Sequence, residues 1–280
     1  MNTSQRLKSL ILAESTLVMP DAYDPISARI IEHAGFEAVQ CSGYSFAISY
    51  GYGKETDVSF TENIEKTKRI VEAVRVPVMA DGEDGFGEGD VLKSNIRKYI
   101  ESGAAGTNIE DQNLRNPAEG KIISESRMLE KIARFREAAA EAGNPDFVLN
   151  ARTDALGAFD TKEKGQMIAI ERANKYLEAG ATLCFITHIN TLEQVKLFAK
   201  EVHGPISVAA GVPYNIAAFS IRDCCELGIA RVSLPTVAIL GSVKSLLDIM
   251  QSIRDTKGFD ELASRSALLS DMSVLKNLLH

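Results

Sequence analysis

Eight short apolar runs, each followed by an amphipathic stretch of helical length, recur along this chain almost without interruption. The runs fall at residues 16–19, 38–41, 76–81, 106–109, 147–152, 182–186, 206–209 and 231–234. Strands of a parallel sheet covered on both faces read this way, because neither face meets water and no polar alternation is imposed. The stretches at 25–34, 61–73, 90–102, 125–142, 161–179, 191–201, 216–227 and 237–256 read as helices. Several close on glycine, as in His33-Ala34-Gly35, Glu101-Ser102-Gly103 and Glu178-Ala179-Gly180, where a left-handed residue ends a helix cheaply. Eight strand–helix repeats predict an α/β fold, a closed (β/α)8 TIM barrel. A doubly wound open sheet is the alternative, and it usually has fewer repeats. The length of 280 residues suits a barrel, for which roughly 250 is typical. Residues 1–258 would form the barrel and 259–280 a C-terminal helical extension. The extension carries Leu262, Leu268, Leu269, Met272, Leu275, Leu278 and Leu279, too apolar to stay undocked.

Composition narrows the function. A net charge of −7 with no basic stripe argues against nucleic acid, whose phosphates demand clustered cations. No apolar run approaches the roughly 20 residues of a membrane span. The opening MNTSQRLKSLILAESTLV has only a brief apolar stretch broken by Glu14 and no small-residue cleavage signal. Cys41, Cys184, Cys224 and Cys225 lack zinc spacing, and a bridge between the adjacent pair would be strained. Reduced thiols and a cytoplasmic protein are the expectation.

In a barrel of this kind the active site lies at the C-terminal ends of the strands. Those ends read Ser42-Gly43, Asp81-Gly82-Glu83-Asp84, Glu110-Asp111, Arg152-Thr153-Asp154, Thr187-His188 and Pro235. An isolated acid at such a position is usually a helix cap or a surface carboxylate. Adjacent acidic clusters followed by an arginine instead make a hard, oxygen-rich site suited to Mg2+, with Mn2+ as the alternative. The glycine-rich segment 82–89 lacks the Gly-Lys-Ser/Thr of a phosphate loop. Counted from Asp81, position twelve is Leu92, which rules out an EF-hand. His33 and His203 sit near helix ends as solvated caps, whereas His188 lies just beyond a strand. Cys41 reads as core facing.

Together these clusters resemble the isocitrate lyase/phosphoenolpyruvate mutase superfamily, in its branch of carboxyphosphonoenolpyruvate phosphonomutase and methylisocitrate lyase types. The resemblance runs from Val18 to about Ser245. It rests on segment 18–29 (VMPDAYDPISAR), Ser42-Gly43, segment 81–87 (DGEDGFG), Asn108-Ile109-Glu110-Asp111 and Asn150-Ala151-Arg152-Thr153-Asp154. It implies a Mg2+-dependent enzyme that makes or breaks C–C or P–C bonds in small 2-oxo or 2-hydroxy carboxylates. It implies a homotetramer, a dimer of dimers, whose last helix docks on a neighbouring subunit. Asp81 and Glu83 would hold the metal directly or through water, with Glu110 supporting. Ser42, Gly43 and Tyr44 would cradle the substrate carboxylate, Arg152 and His188 would bind its other end, and Asn116 would act from a mobile loop. The implied reaction is C–C cleavage of a dicarboxylate through an enolate. The alternatives are phosphonomutase or P–C hydrolase chemistry, and a non-catalytic carboxylate-binding barrel.

Two departures stand out. The lyases' loop motif Lys-Lys/Arg-Cys-Gly-His is replaced by segment 110–121 (EDQNLRNPAEGK), without cysteine. Gln112 stands where phosphonate-handling members have lysine. Gly53-Lys54 replaces a common Pro-Asp, and Glu55 or Asp57 would have to supply that carboxylate.

Overall fold

The computed structural model describes residues 1–211, 214–259, 262 and 271–279. Eight parallel strands close into a barrel in sequence order. They are β1 (Leu17–Ala22), β2 (Val39–Cys41), β3 (Val78–Asp81), β4 (Gly106–Glu110), β5 (Val148–Thr153), β6 (Leu183–Ile186), β7 (Ile206–Ala209) and β8 (Arg231–Leu234). Pairing of Leu17 through Pro20 with Arg231 through Leu234 shuts the ring. The strand ends fall close to the expected ones except at β1, which continues through Pro20 and Asp21 to Ala22.

The helices are α1 (Thr3–Ile11), α2 (Pro25–His33), α3 (Gly43–Tyr50), α4 (Phe60–Ala73), α5 (Gly89–Glu101), α6 (Glu125–Glu141), α7 (Lys162–Glu178), α8 (Leu192–Glu201), α9 (Ile221–Glu226) and α10 (Val237–Thr256). Gly35, Gly103 and Gly180 all take positive φ at helix ends, as their place in the sequence requires. Two helices were not expected. Helix α1 starts with an Asn2–Gln5 capping box and buries Leu7 and Ile11 against Leu17, Met19, Met79, Val148 and Leu183. It plugs the end of the barrel opposite the strand-end clusters. Helix α3 is capped by Ser42 and stopped by left-handed Gly51. One expected helix is shorter: the Ser220–Asp223 capping box starts α9 only at Ile221, because mutual side-chain caps fix a helix start.

A C-terminal helix, Met272–Leu279, lies against α2, where Arg29 Nη1 donates to the carbonyl of Leu278 at 2.8 Å. Leu262 and Leu278 are buried, while Leu268 and Leu269 lie outside the described residues. Helix α10 leaves Leu246, Leu247 and Met250 more than half exposed, at 58%, 61% and 53%. Among the described residues no helix is long and apolar enough to cross a membrane.

Candidate active site

The strand-end clusters converge on one cavity of about 340 Å³ at the C-terminal mouth of the barrel, lined by Ser42, Tyr44, Glu55, Asp81, Gln112, Arg152, Asp154 and His188. Its acids come from neighbouring elements. Asp81 ends β3 and lines the cavity, and Glu110 ends β4, buried against Arg152. Glu83 sits on the turn after β3 with φ 46°, a left-handed strain for a residue with a Cβ, held because its carbonyl accepts the Glu110 amide at 2.9 Å. Glu83 and Glu110 are each only 1% exposed. Glu83 Oε1 and Glu110 Oε1 are buried with no hydrogen-bond partner, an arrangement that costs free energy unless a cation or water meets them.

Electrostatics follow from this crowding. Burial first, then Glu55 and Asp81, push the Glu83 carboxyl up to about 9. Burial and Asp81 raise Glu55 to about 7. Glu110 is also raised, because burial outweighs the attraction of Arg152, whose Nη1 lies 2.8 Å from Glu110 Oε2. Four carboxylates without enough positive charge between them make a cation-seeking cluster. Among the described residues no three acid, histidine or cysteine side chains close on a single point as a ready ligand set.

Helix α3 orients this cluster. Its first amides are orphan donors, and they are used at once. Gly43 N–H donates to Asp81 Oδ2 at 2.9 Å, the Tyr44 backbone bonds Glu55, and Ser45 N–H donates to Ser42 Oγ at 3.2 Å. Of the expected substrate cradle at Ser42-Gly43, the Gly43 amide is taken by Asp81, while Ser42 both caps the helix and lines the cavity. A Cβ on residue 43 would stand 2.8 Å from Glu55 Oε1 and 2.9 Å from Glu83 Oε1, so this glycine lets both acids approach the backbone. Glu55 thus supplies the carboxylate in the segment where Lys54 is exposed.

Arg152 is heavily committed. Nε and Nη2 grip Asp154 at 2.9 Å each, and Nη2 also donates to Gln112 Oε1 at 2.9 Å. Burial acts on Asp154 first and in the upward direction, but Arg152 and His188 outweigh it and hold the carboxyl low. His188 has φ 62°, and its Nε2 lies 3.5 Å from Asp154 Oδ1. Its ring covers Gly157, where a Cβ would meet it at 2.6 Å.

Asn116 is not brought to the cavity. It is exposed, and it lines a separate recess with Asp84, Phe86, Arg115 and Lys131. The reason is local: the Asn113 amide holds the Asn116 carbonyl at 2.8 Å, and a short 3-10 turn follows at Pro117–Glu119. From the same loop Arg115 reaches inward to Asp84 at 2.5 Å and Glu83 at 3.3 Å. Asp111 is a hub below the site, accepting from Arg172 at 2.7 Å, Tyr176 and Thr153 at 2.8 Å, and the Asp154 amide at 2.8 Å. Sequence reading missed Asp21, which also lines the cavity; the signal was its place at the end of β1, hidden because the apolar run stops at Met19.

A model of the phosphoenolpyruvate phosphomutase family matches residues 7–254. The chain belongs to this family. It is therefore an enzyme of the isocitrate lyase/phosphoenolpyruvate mutase superfamily, with that superfamily's lyase or mutase chemistry at C–C bonds. It is 29% identical to 2,3-dimethylmalate lyase of Eubacterium barkeri, over 91% of this chain and 87% of that one. It is 30% identical to 2-methylisocitrate lyase of Aeropyrum pernix, over 89% and 79%. Phosphonopyruvate hydrolase, solved with oxalate and Mg2+, shares the fold with a TM-score of 0.87 at 24% identity, covering 100% of this chain and 95% of that one.

Proposed function

We propose that this enzyme is a Mg2+-dependent lyase that cleaves the C2–C3 bond of a small 2-hydroxy dicarboxylate. The observation that carries this reading is the pair of buried carboxylate oxygens without partners, Glu83 Oε1 and Glu110 Oε1, in electrostatic reach of Asp81, whose side chain lines the cavity. They fit a hard divalent cation held by Asp81, with Glu83 and Glu110 engaged directly or through water. When bound, Mg2+ (or Mn2+) supplies Lewis acidity and charge next to the substrate carboxylate.

The chain's own residues then have defined tasks. Glu55 lines the cavity and titrates near 7, so it can take the substrate's hydroxyl proton at neutral pH. As the C2–O bond becomes a carbonyl, the C2–C3 pair is left on C3 and delocalises into the neighbouring carboxylate as an enolate. Arg152 and the Ser42 hydroxyl stabilise that charge, a contribution on the order of 3–4 kcal/mol per preorganised donor. Protonation at C3 completes the 2-oxo acid and carboxylate products. Because the loop has no cysteine, that proton comes from water or another cavity group. Tyr44 and His188 wall the substrate.

Phosphonate chemistry is disfavoured by the cation count. Arg152 is the only lysine or arginine among the described lining residues, a single guanidinium against the two negative charges of a phosphonyl group. The test is Mg2+-dependent release of a 2-oxo acid from a panel of 2-hydroxy dicarboxylates and phosphonopyruvate. Release from the dicarboxylates supports the lyase; release from phosphonopyruvate alone replaces it with P–C hydrolysis. We place the protein in the cytoplasm, and we assign the exposed α10 stripe and the C-terminal helix to contacts between copies in a homotetramer.

A further inference from the structure

Strand β1 carries an acid that the reaction above leaves unused. Side chains alternate along a strand, so Met19 and Asp21 share one face of β1. Met19 packs inside the barrel against Met79, Val148 and Leu183, and Asp21 reaches the cavity. Asp21 pairs in register with Gln40 of β2, and both side chains are buried and line the cavity. Gln40 Oε1 has no hydrogen-bond partner, so this wall presents an acceptor and an acid side by side.

Arg231 and Asp81 are the charges that act on Asp21. Arg231, on β8, is fully buried. Its Nη1 donates to Ser207 Oγ at 2.8 Å, its Nε approaches Met19 Sδ at 3.2 Å, and its Nη2 has no partner. Burial lowers this guanidinium to about 10, which leaves it cationic at neutral pH. Ser233 Oγ donates to Asp21 Oδ1 at 3.2 Å, leaving Oδ2 for a proton. Burial outweighs the attraction of Arg231 and raises the Asp21 carboxyl well above the usual carboxylate range.

The other cavity groups are occupied or exposed. Glu55 takes the hydroxyl proton, and Asp81 serves the metal. Asp154 is held ionised by Arg152 and His188. Tyr44, His188 and Tyr214 are exposed to water. None of the four cysteines is among the described lining residues.

Resting on the lyase reading, we infer that Asp21 is the acid that protonates C3 of the enolate, in the role left open by the missing loop cysteine. The Asp21 O–H bond breaks, and the enolate electron pair forms the C3–H bond. Asp21 is left as a carboxylate, and the Arg231 cation offsets its charge. The proton that Glu55 took from the hydroxyl returns to Asp21 through cavity water, so the cycle neither gains nor loses one.

The test pairs Asp21→Asn with the wild-type protein; Asp21→Ser serves if the amide does not fold. Turnover is measured on the panel dicarboxylate that the wild type cleaves, and oxalate binding to the Mg2+-loaded protein by calorimetry. The variant should lose kcat at least hundredfold and keep oxalate affinity within about twofold. In protein labelled with 13C at the aspartate carboxyls, with Mg2+ and oxalate bound at pH 7, the NMR signal missing from the variant should have the shift of a protonated acid. A smaller loss of kcat, a loss of oxalate affinity alongside it, or an ionised signal overturns the inference and leaves the lyase reading standing. If the wild type cleaves no dicarboxylate of the panel, the lyase reading fails and this inference fails with it.

Discussion

Asp81, Glu83 and Glu110 share one small volume, and their charges govern what each substitution does. Asp81→Ala removes the acceptor of the Gly43 amide and the central acid of the cluster. Calorimetric titration should show loss of Mg2+ binding in that variant, and wild-type affinity would end the assignment. Glu83 carries a pH signature. In the metal-free fold its carboxyl holds its proton up to about 9, against 4.5 for an ordinary glutamate. Between those values the folded state binds the extra proton, so metal-free stability falls as pH rises through this window. Added Mg2+ favours the ionised acid and should recover that loss. Thermal melts at pH 6 and 8.5, with and without Mg2+, check both signs; a metal-free Tm unchanged between the two pH values refutes the shift.

At the scale of elements, two loops carry the site. Arg115 ties the β4–α6 loop to the turn after β3 through Glu83 and Asp84, and its guanidinium stacks 4.8 Å from the Phe86 ring centre. Loops closing over a site exclude water and complete the catalytic set. Arg115→Ala should lower kcat/KM at least tenfold, about 1.4 kcal/mol of transition-state binding, and unchanged kinetics would reduce the loop to a connector. The buried Asp111 hub joins the same loop to β5, because Arg172 also donates to the Ile123 carbonyl at 2.9 Å. Asp111→Ala strands the Arg172 guanidinium and should cost about 3–5 kcal/mol, read as a denaturant midpoint shift. The order of these elements was legible in the sequence, since strands buried on both faces need continuous apolar runs. Helix α3 was not legible, because its residues Gly43–Tyr50 are as apolar as a strand and lack a polar face.

For the whole molecule, α10 and the C-terminal helix carry the apolar surface that a partner would cover. The exposed Leu246, Leu247 and Met250 form a stripe that the single chain leaves to water. If the tail after α10 takes part in contacts between copies, truncation after Lys257 should give smaller or aggregating species by light scattering. A well-behaved particle with an unchanged subunit number would refute that role for the tail.

The sequence by itself determined the barrel and the family, because eight buried strands and five ordered motifs leave few other solutions. It also placed Asp81, Glu110 and Arg152 at strand ends and Glu83 on the turn after β3. Only the tertiary structure decided how those groups pair. It gave the Gly43 amide to Asp81 and Arg152 to Asp154 and Glu110, brought Glu55 rather than Lys54 inward, and left Asn116 outside. Such choices depend on distances between residues far apart in the chain and on which buried charge finds a partner first, and no local pattern of residues encodes either.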